Sequence, residues 1–335
     1  MIVCFGEIML RLSTPNQERI MQTRQLDVQY GGSEANVAVS LAQLGAASSF
    51  ITRVPATELG QAALSEVRRY NVETNLSIFG GERLGLYFLE TGTGNRPSKV
   101  IYDRANSGMA MLERGMIDWD KIFSKGVLQY TPTWLHWSGI TPAISQTAAD
   151  ATLESIEKAQ QYGLKISCDL NYRSNLWSYD KLPSDIMPQL LSGCDVMLGD
   201  GDTLKTYFGI QGTGYEDIIE KTFLKFPKLK FIAMTARKAF HASHNAYKGF
   251  LHDGKKMYES REYDIPDIND RIGAGDAFMA SLIFQLSKNA EPQFATDFAT
   301  AAAALKHTIP GDFNLVSEKE IEALMKGNTG GKVSR

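Results

Sequence analysis

Short apolar and β-branched runs recur along the chain at Ile2–Phe5, Ser49–Val54, Trp134–Trp137, Leu164–Leu170, Asp195–Leu198 and Phe231–Met234. Helix-length segments separate most of them, among them Glu34–Leu44, Leu59–Tyr70, Gln146–Tyr162 and Asp202–Phe208. Strands alternating with helices predict βαβ units and a mostly parallel sheet covered on both faces. Ligands of such sheets gather at the carboxyl ends of the strands.

Two segments break this alternation. Residues 8–31 show no helical pattern, and 84–104, LGLYFLETGTGNRPSKVIYDR, reads as two strands joined by a Gly/Asn/Pro turn. Together they predict a small β-sheet lid projecting from a main domain of residues 1–325. Its apolar side chains Leu86, Phe88, Val100 and Ile101 have too little core of their own. They need covering by closure over a ligand or by a second subunit, so a homodimer or larger homo-oligomer is expected through the lid. The Gly-rich polar end, residues 326–335, is expected to be a flexible tail.

One helix is apolar almost all the way round. Residues 269–286, NDRIGAGDAFMASLIFQL, place two glycines and Asp276 directly before it. Such a helix is buried on several sides. Its first turn offers unpartnered N–H groups and partial positive charge, and glycine lets an anion approach them. Asp276 in that position reads either as a helix-start carboxylate or as a base that takes a proton from an attacking hydroxyl. A second glycine-marked junction, YGGSEANVAVSLAQLG at 30–45, is either an ordinary turn or a place where Gly32 and Asn36 meet the hydroxyls of a polar substrate.

Composition narrows the classes. The 335 residues are 43% hydrophobic and 22% charged, as in a globular protein with a full core. A net charge of −3 and a pI near 6.0 give no electrostatic case for nucleic acid or for an anionic membrane. No apolar run approaches the ~20 residues of a membrane span. The start, MIVCFGEIML, lacks the basic region of a secretory signal. Cys4, Cys168 and Cys194 are odd in number and form no CxxC pair, so buried free thiols and a cytoplasmic location are expected. No G-x-G-x-x-G follows the first strand, which argues against a dinucleotide-binding dehydrogenase.

Taken together, Gly31, Gly32, Asn36, Ala38 and Gly45 near the start, with Asp270, Gly273, Ala274, Gly275 and Asp276 near the end, resemble the paired signatures of the ribokinase-like (PfkB) carbohydrate kinases. The resemblance in order and spacing runs from GEIM at the start to AAAALKH near the end. It implies an α/β fold, a three-layer α/β/α sandwich with a mostly parallel central sheet and a β-sheet lid. It implies ATP-dependent phosphorylation of a sugar hydroxyl, with Gly273, Ala274 and Gly275 as an anion hole and Asp276 as the base. Within that family RVPATELG (53–60, with Pro55), WLHWSGITPAIS, CDLNYRSNLW and LKHTIPGDFNLVS look most like the 2-keto-3-deoxygluconate kinases.

A sugar acid needs a cation for its carboxylate. The candidates are Arg173, in the run Asp169-x-Asn171-x-Arg173, and Arg104, at the end of VIYDR. Either also reads as a surface salt bridge. Tyr87 and Tyr102 are candidates for stacking on and hydrogen-bonding the substrate, or for packing the lid. On the nucleotide side the candidates are Thr235 and Arg237 in TARKAF, Gly273, Gly275 and Lys306. The family's Asn-x-x-Glu element, which helps place Mg²⁺, falls at Asp200-Gly201-Asp202-Thr203. Only Asp200 can stand in, acting through water, with the ion held chiefly by the nucleotide's phosphates. Arg271 stands where the family commonly has a small Thr. The expected reaction is ATP plus 2-keto-3-deoxygluconate giving the 6-phosphate and ADP. The alternatives are the same chemistry on a neutral sugar such as ribose or fructose, and a non-catalytic sugar-binding regulator on the same fold.

Overall fold

The computed structural model describes residues 1–327. The Gly-rich tail from 328 onward lies outside the described residues. A nine-stranded sheet runs in the order Met257–Glu259, His244–His252, Phe231–His241, Val196–Leu198, Lys165–Asp169, Trp134–Ser138, Ile2–Phe5, Ser48–Ile51, with Tyr263–Ile265 also paired to His244–His252. From Ser48–Ile51 across to Phe231–His241 all pairings are parallel.

The period-two alternation of a strand sorts its side chains into two cores. In Ile2–Phe5, Ile2 and Cys4 pack with the helices Ser33–Gln43, Glu58–Arg68, Ala274–Ser287 and Pro292–Lys306. Val3 and Phe5 pack on the other face with Trp119–Phe123, Gln146–Gln161, Pro183–Leu191 and Gly201–Phe208. The result is the expected three-layer sandwich. Among the described residues no helix is long and apolar enough to cross a membrane.

The sheet departs from expectation at one edge. The strand read as ending at Met234 continues to His241 and turns back through His244–His252, adding an antiparallel meander. The two-residue turn, Ala242 and Ser243, carries neither the glycine nor the asparagine that marks a hairpin in sequence. The run read as Ser49–Val54 is also split at Thr52, and Arg53–Val54 pairs instead with Ile78–Phe79.

A separate four-stranded sheet has the order Asp27–Gly31, Met9–Ser13, Gly85–Glu90, Lys99–Asp103. Its register aligns Val28, Leu12, Phe88 and Ile101 in one apolar row across all four strands. Val100 belongs to the opposite face, with Tyr87 and Tyr102, because alternate residues point to opposite sides. The sequence reading had grouped it with Ile101.

Candidate active site

The helix Ala274–Ser287 is buried at every position from Ala274 to Leu286 except Gly275. Gly273 caps it with φ +85°, and a Cβ there would lie 2.1 Å from the Asp312 carbonyl oxygen, so only glycine fits. Gly275 faces open space. The free N–H groups of this first turn border a cleft of about 610 Å³ beyond the carboxyl ends of the parallel strands.

Asp276 binds the two glycine junctions together. The Ser33 hydroxyl donates to its Oδ1 and the Asn36 amide to its Oδ2, both at 2.7 Å. Asn36 in turn accepts from the Gly32 N–H at 3.3 Å, and a Cβ on Gly32 would lie 1.9 Å from the Glu7 carbonyl oxygen. Asn171 donates to Ser33 at 3.2 Å. Burial pushes the Asp276 carboxyl above the usual range, and the bonds from Asn36 and Ser33 oppose that rise. Asp169 lines the same cleft and is pushed up to about 7, by burial first and then by the charge of Asp276.

Tyr102, Arg104 and Arg173 line the cleft beside this carboxylate pair. Arg173 is exposed, and its Nη1 donates to the Tyr172 carbonyl at 3.0 Å. No carboxylate pairs with it among the described residues. Arg104 is different. It is buried against Glu7, which also accepts from Ser107, and its guanidinium lies 5.6 Å from the Tyr102 ring. The two arginines expected to share a substrate carboxylate are therefore unequal, because one already has an internal partner. Tyr87 lines the cleft through its ring, but its hydroxyl donates to Asp312 Oδ2 at 2.6 Å.

Thr235, Arg237, Arg271 and His307 flank the glycine turn on the other side. Lys306, expected there too, is fully buried and donates to the Ile309 carbonyl at 2.9 Å; it does not line the cleft. Its aliphatic chain packs behind Gly273 instead. Asp200 lies at the cleft edge and caps the helix Gly201–Phe208 by accepting from the Thr203 N–H at 2.7 Å. Among the described residues no group of three or more His, Cys, Asp or Glu is arranged to hold a metal.

Residues 1–319 match the model of the pfkB family carbohydrate kinase. The chain belongs to the pfkB family of carbohydrate kinases. It is 31% identical to a 2-dehydro-3-deoxygalactonokinase of Haloferax volcanii, over 98% of each chain. Among solved structures it is similar to a 2-dehydro-3-deoxygluconokinase of Thermotoga maritima, with 39% identity, a TM-score of 0.91, and coverage of 97% of this chain and 99% of that one. A PfkB family carbohydrate kinase of Listeria grayi gives 35% identity, a TM-score of 0.91 and the same coverage.

The sequence alone did not single out Arg11, Asp312 or Glu34 in this kinase. Arg11 is buried on the strand Met9–Ser13 of the four-stranded sheet and reaches Asp270 at 2.5 Å and Asp312 at 2.6 Å. The signal was a lone arginine between two leucines in the MLRLS run. Glu34 is buried behind the cleft and pushed up to about 7 by burial. It accepts from the Ser138 N–H, the Ser138 hydroxyl and the Thr141 hydroxyl at 3.0, 2.8 and 3.0 Å.

Proposed function

We propose that this carbohydrate kinase transfers the terminal phosphoryl group of ATP to the 6-hydroxyl of 2-keto-3-deoxygluconate, releasing the 6-phosphate and ADP. The observation that carries the reading is the meeting of the two glycine junctions on Asp276. A carboxylate held by Ser33 and Asn36 borders the open N–H groups of a helix start. A hydroxyl seated there loses its proton to Asp276 as its oxygen attacks phosphorus, while the amides of Gly273, Ala274 and Gly275 stabilise the charge on the phosphoryl oxygens. A raised pKa makes Asp276 a stronger proton acceptor near neutral pH.

Arg173 supports the choice of a sugar acid, because it presents to the cleft an exposed guanidinium that, among the described residues, makes no salt bridge, although its charge reaches Asp169 and Asp276. The names of the relatives at 31% and 39% identity support it as well. Gly32, Asn36, Tyr87 and Tyr102 complete the acceptor side, with Arg104 acting together with Glu7. Thr235 and Arg237 face the nucleotide. A Mg²⁺ ion would be held chiefly by the nucleotide's phosphates, and Asp200, a single carboxylate at the cleft edge that already caps a helix, would reach it only through water. That ion would supply charge neutralisation of the phosphates. We also propose that the four-stranded sheet is a lid and that its apolar outer row joins two subunits. Three buried, unpaired cysteines suit a reducing compartment such as the cytoplasm.

The test is ADP release across neutral sugars, gluconate, 2-keto-3-deoxygluconate and its C4 epimer, the galactonate relative. Turnover highest with 2-keto-3-deoxygluconate is expected. Preference for the epimer corrects the substrate within the class, and preference for ribose or fructose overturns the sugar-acid reading.

A further inference from the structure

Two arginines line one end of the cleft, and among the described residues neither makes a salt bridge. Arg237 comes from the strand Phe231–His241 and is exposed; among the described residues it makes no salt bridge. Arg271 comes from the loop just ahead of Gly273 and is half-buried. Both line the cleft beside Gly273, Ala274 and Gly275. Burial first, and then the charge of Arg237, pull the Arg271 guanidinium down, while the charge of Asp270 opposes them. The nearest acid, Asp270, is engaged elsewhere, by Arg11 at 2.5 Å and by the N–H groups of Ile272 and Gly311 at 3.0 and 3.1 Å.

Arg271 is also aimed. Its Nη2 donates to the Ala242 carbonyl at 2.5 Å, at the tip of the hairpin that carries Arg237. That bond fixes the plane of the guanidinium and leaves its other N–H groups without a partner among the described residues. Two like charges near each other repel, and a ligand carrying several negative charges close to the helix start offsets that repulsion most fully. A sugar carboxylate carries one charge, and Arg173 stands on the acceptor side for it. A polyphosphate carries several.

We propose that Arg271 and Arg237 form a two-arginine clamp for the donor's polyphosphate, with Arg271 held by Ala242 so that its remaining N–H groups grip phosphate oxygens alongside Arg237. The proposal rests on the reading that the donor is a nucleoside triphosphate. It makes Arg271 a binding residue for the phosphates and not for the nucleoside or the sugar.

Calorimetric titration of the wild type, Arg271→Thr and Arg271→Lys with ATP, ADP, AMP, tripolyphosphate and the keto acid tests it. Arg271→Thr should weaken ATP and tripolyphosphate roughly 10- to 100-fold, the range of a charge-assisted contact. AMP and the keto acid should bind as before. Arg271→Lys should recover part of the loss, and the dependence of ATP affinity on salt should become shallower in the Thr variant. Unchanged ATP affinity in Arg271→Thr overturns the clamp. So does an equal loss for AMP and ATP, which marks a structural role, or a loss confined to the keto acid, which assigns Arg271 to the acceptor. Should the Thr variant not fold, the Lys variant carries the same comparison, because it keeps the charge and loses the planar fork. A wild type that binds none of the nucleotides overturns the donor reading itself, and that outcome is visible before any variant is made.

Discussion

Asp276 has two oxygens and two donors, Ser33 and Asn36, each at 2.7 Å. Asparagine in its place keeps the shape and loses the proton acceptor. Asp276→Asn should lower kcat by about 10²–10⁴-fold, the usual worth of a general base, with KM for either substrate little changed. A carboxylate that only completes the helix start predicts near-normal kcat and a small shift in melting temperature, so the two measurements on one variant separate the roles. The cleft arginines diverge in the same way. Arg173→Leu should weaken the keto acid roughly 10- to 100-fold and leave the melting temperature nearly unchanged, because an exposed guanidinium bonded to one carbonyl holds little of the fold. Arg104→Leu leaves Glu7 buried without its cation and should cost about 3–5 kcal/mol of stability. Equal melting temperatures for the two variants would contradict the unequal roles assigned to them.

At the scale of elements, the helix Ala274–Ser287 and the first strand could be read from sequence because their apolar patterns are local and uninterrupted. The antiparallel edge from His244 to Ile265 could not. Its strands Met257–Glu259 and Tyr263–Ile265 are only three residues long, and its tight turn lacks the usual residues. The charge network was equally hidden, since Arg11 and Asp312 are 301 positions apart. Asp276 and its glycines were legible as a motif, whereas its clasp by Ser33 exists only once two distant helix starts meet. Glu34 belongs to the same class, because its partners come from the end of Trp134–Ser138 and the short helix Ile140–Ile144 after it. Its folded carboxyl is held at about 7, above its ordinary 4.5. The folded state therefore keeps that proton longer than the unfolded chain does. Glu34's contribution is most favourable below its ordinary value and declines as pH rises toward about 7. Glu34→Gln removes this titration. The melting temperature of the wild type minus that of the variant should fall between pH 4.5 and 7 and level off above it; a difference independent of pH would show that Glu34 titrates normally.

For the whole molecule the open question is what covers the outer face of the four-stranded sheet. Its inner face carries Arg11, Tyr87 and Tyr102, of which Arg11 and Tyr87 tie the sheet to Asp312 beside the cleft. The outer row Val28, Leu12, Phe88 and Ile101 crosses all four strands, and its ends are bare, with Val28 61% and Ile101 41% exposed. Both exposed ends lie on edge strands, where an apolar surface invites pairing with another chain. A second copy packed on this row buries the same patch twice by two-fold symmetry and so needs no other partner. We expect sedimentation at micromolar concentration to give a dimer or larger assembly. Ile101→Glu should convert it to monomer, because two carboxylates would face each other across the axis. Since the inner face of the same sheet lines the cleft, loss of the partner should also raise KM for the keto acid. A wild type that sediments as a monomer with full activity would remove the outer row from the account and leave the lid to be held by Arg11, Asp270 and Asp312 alone.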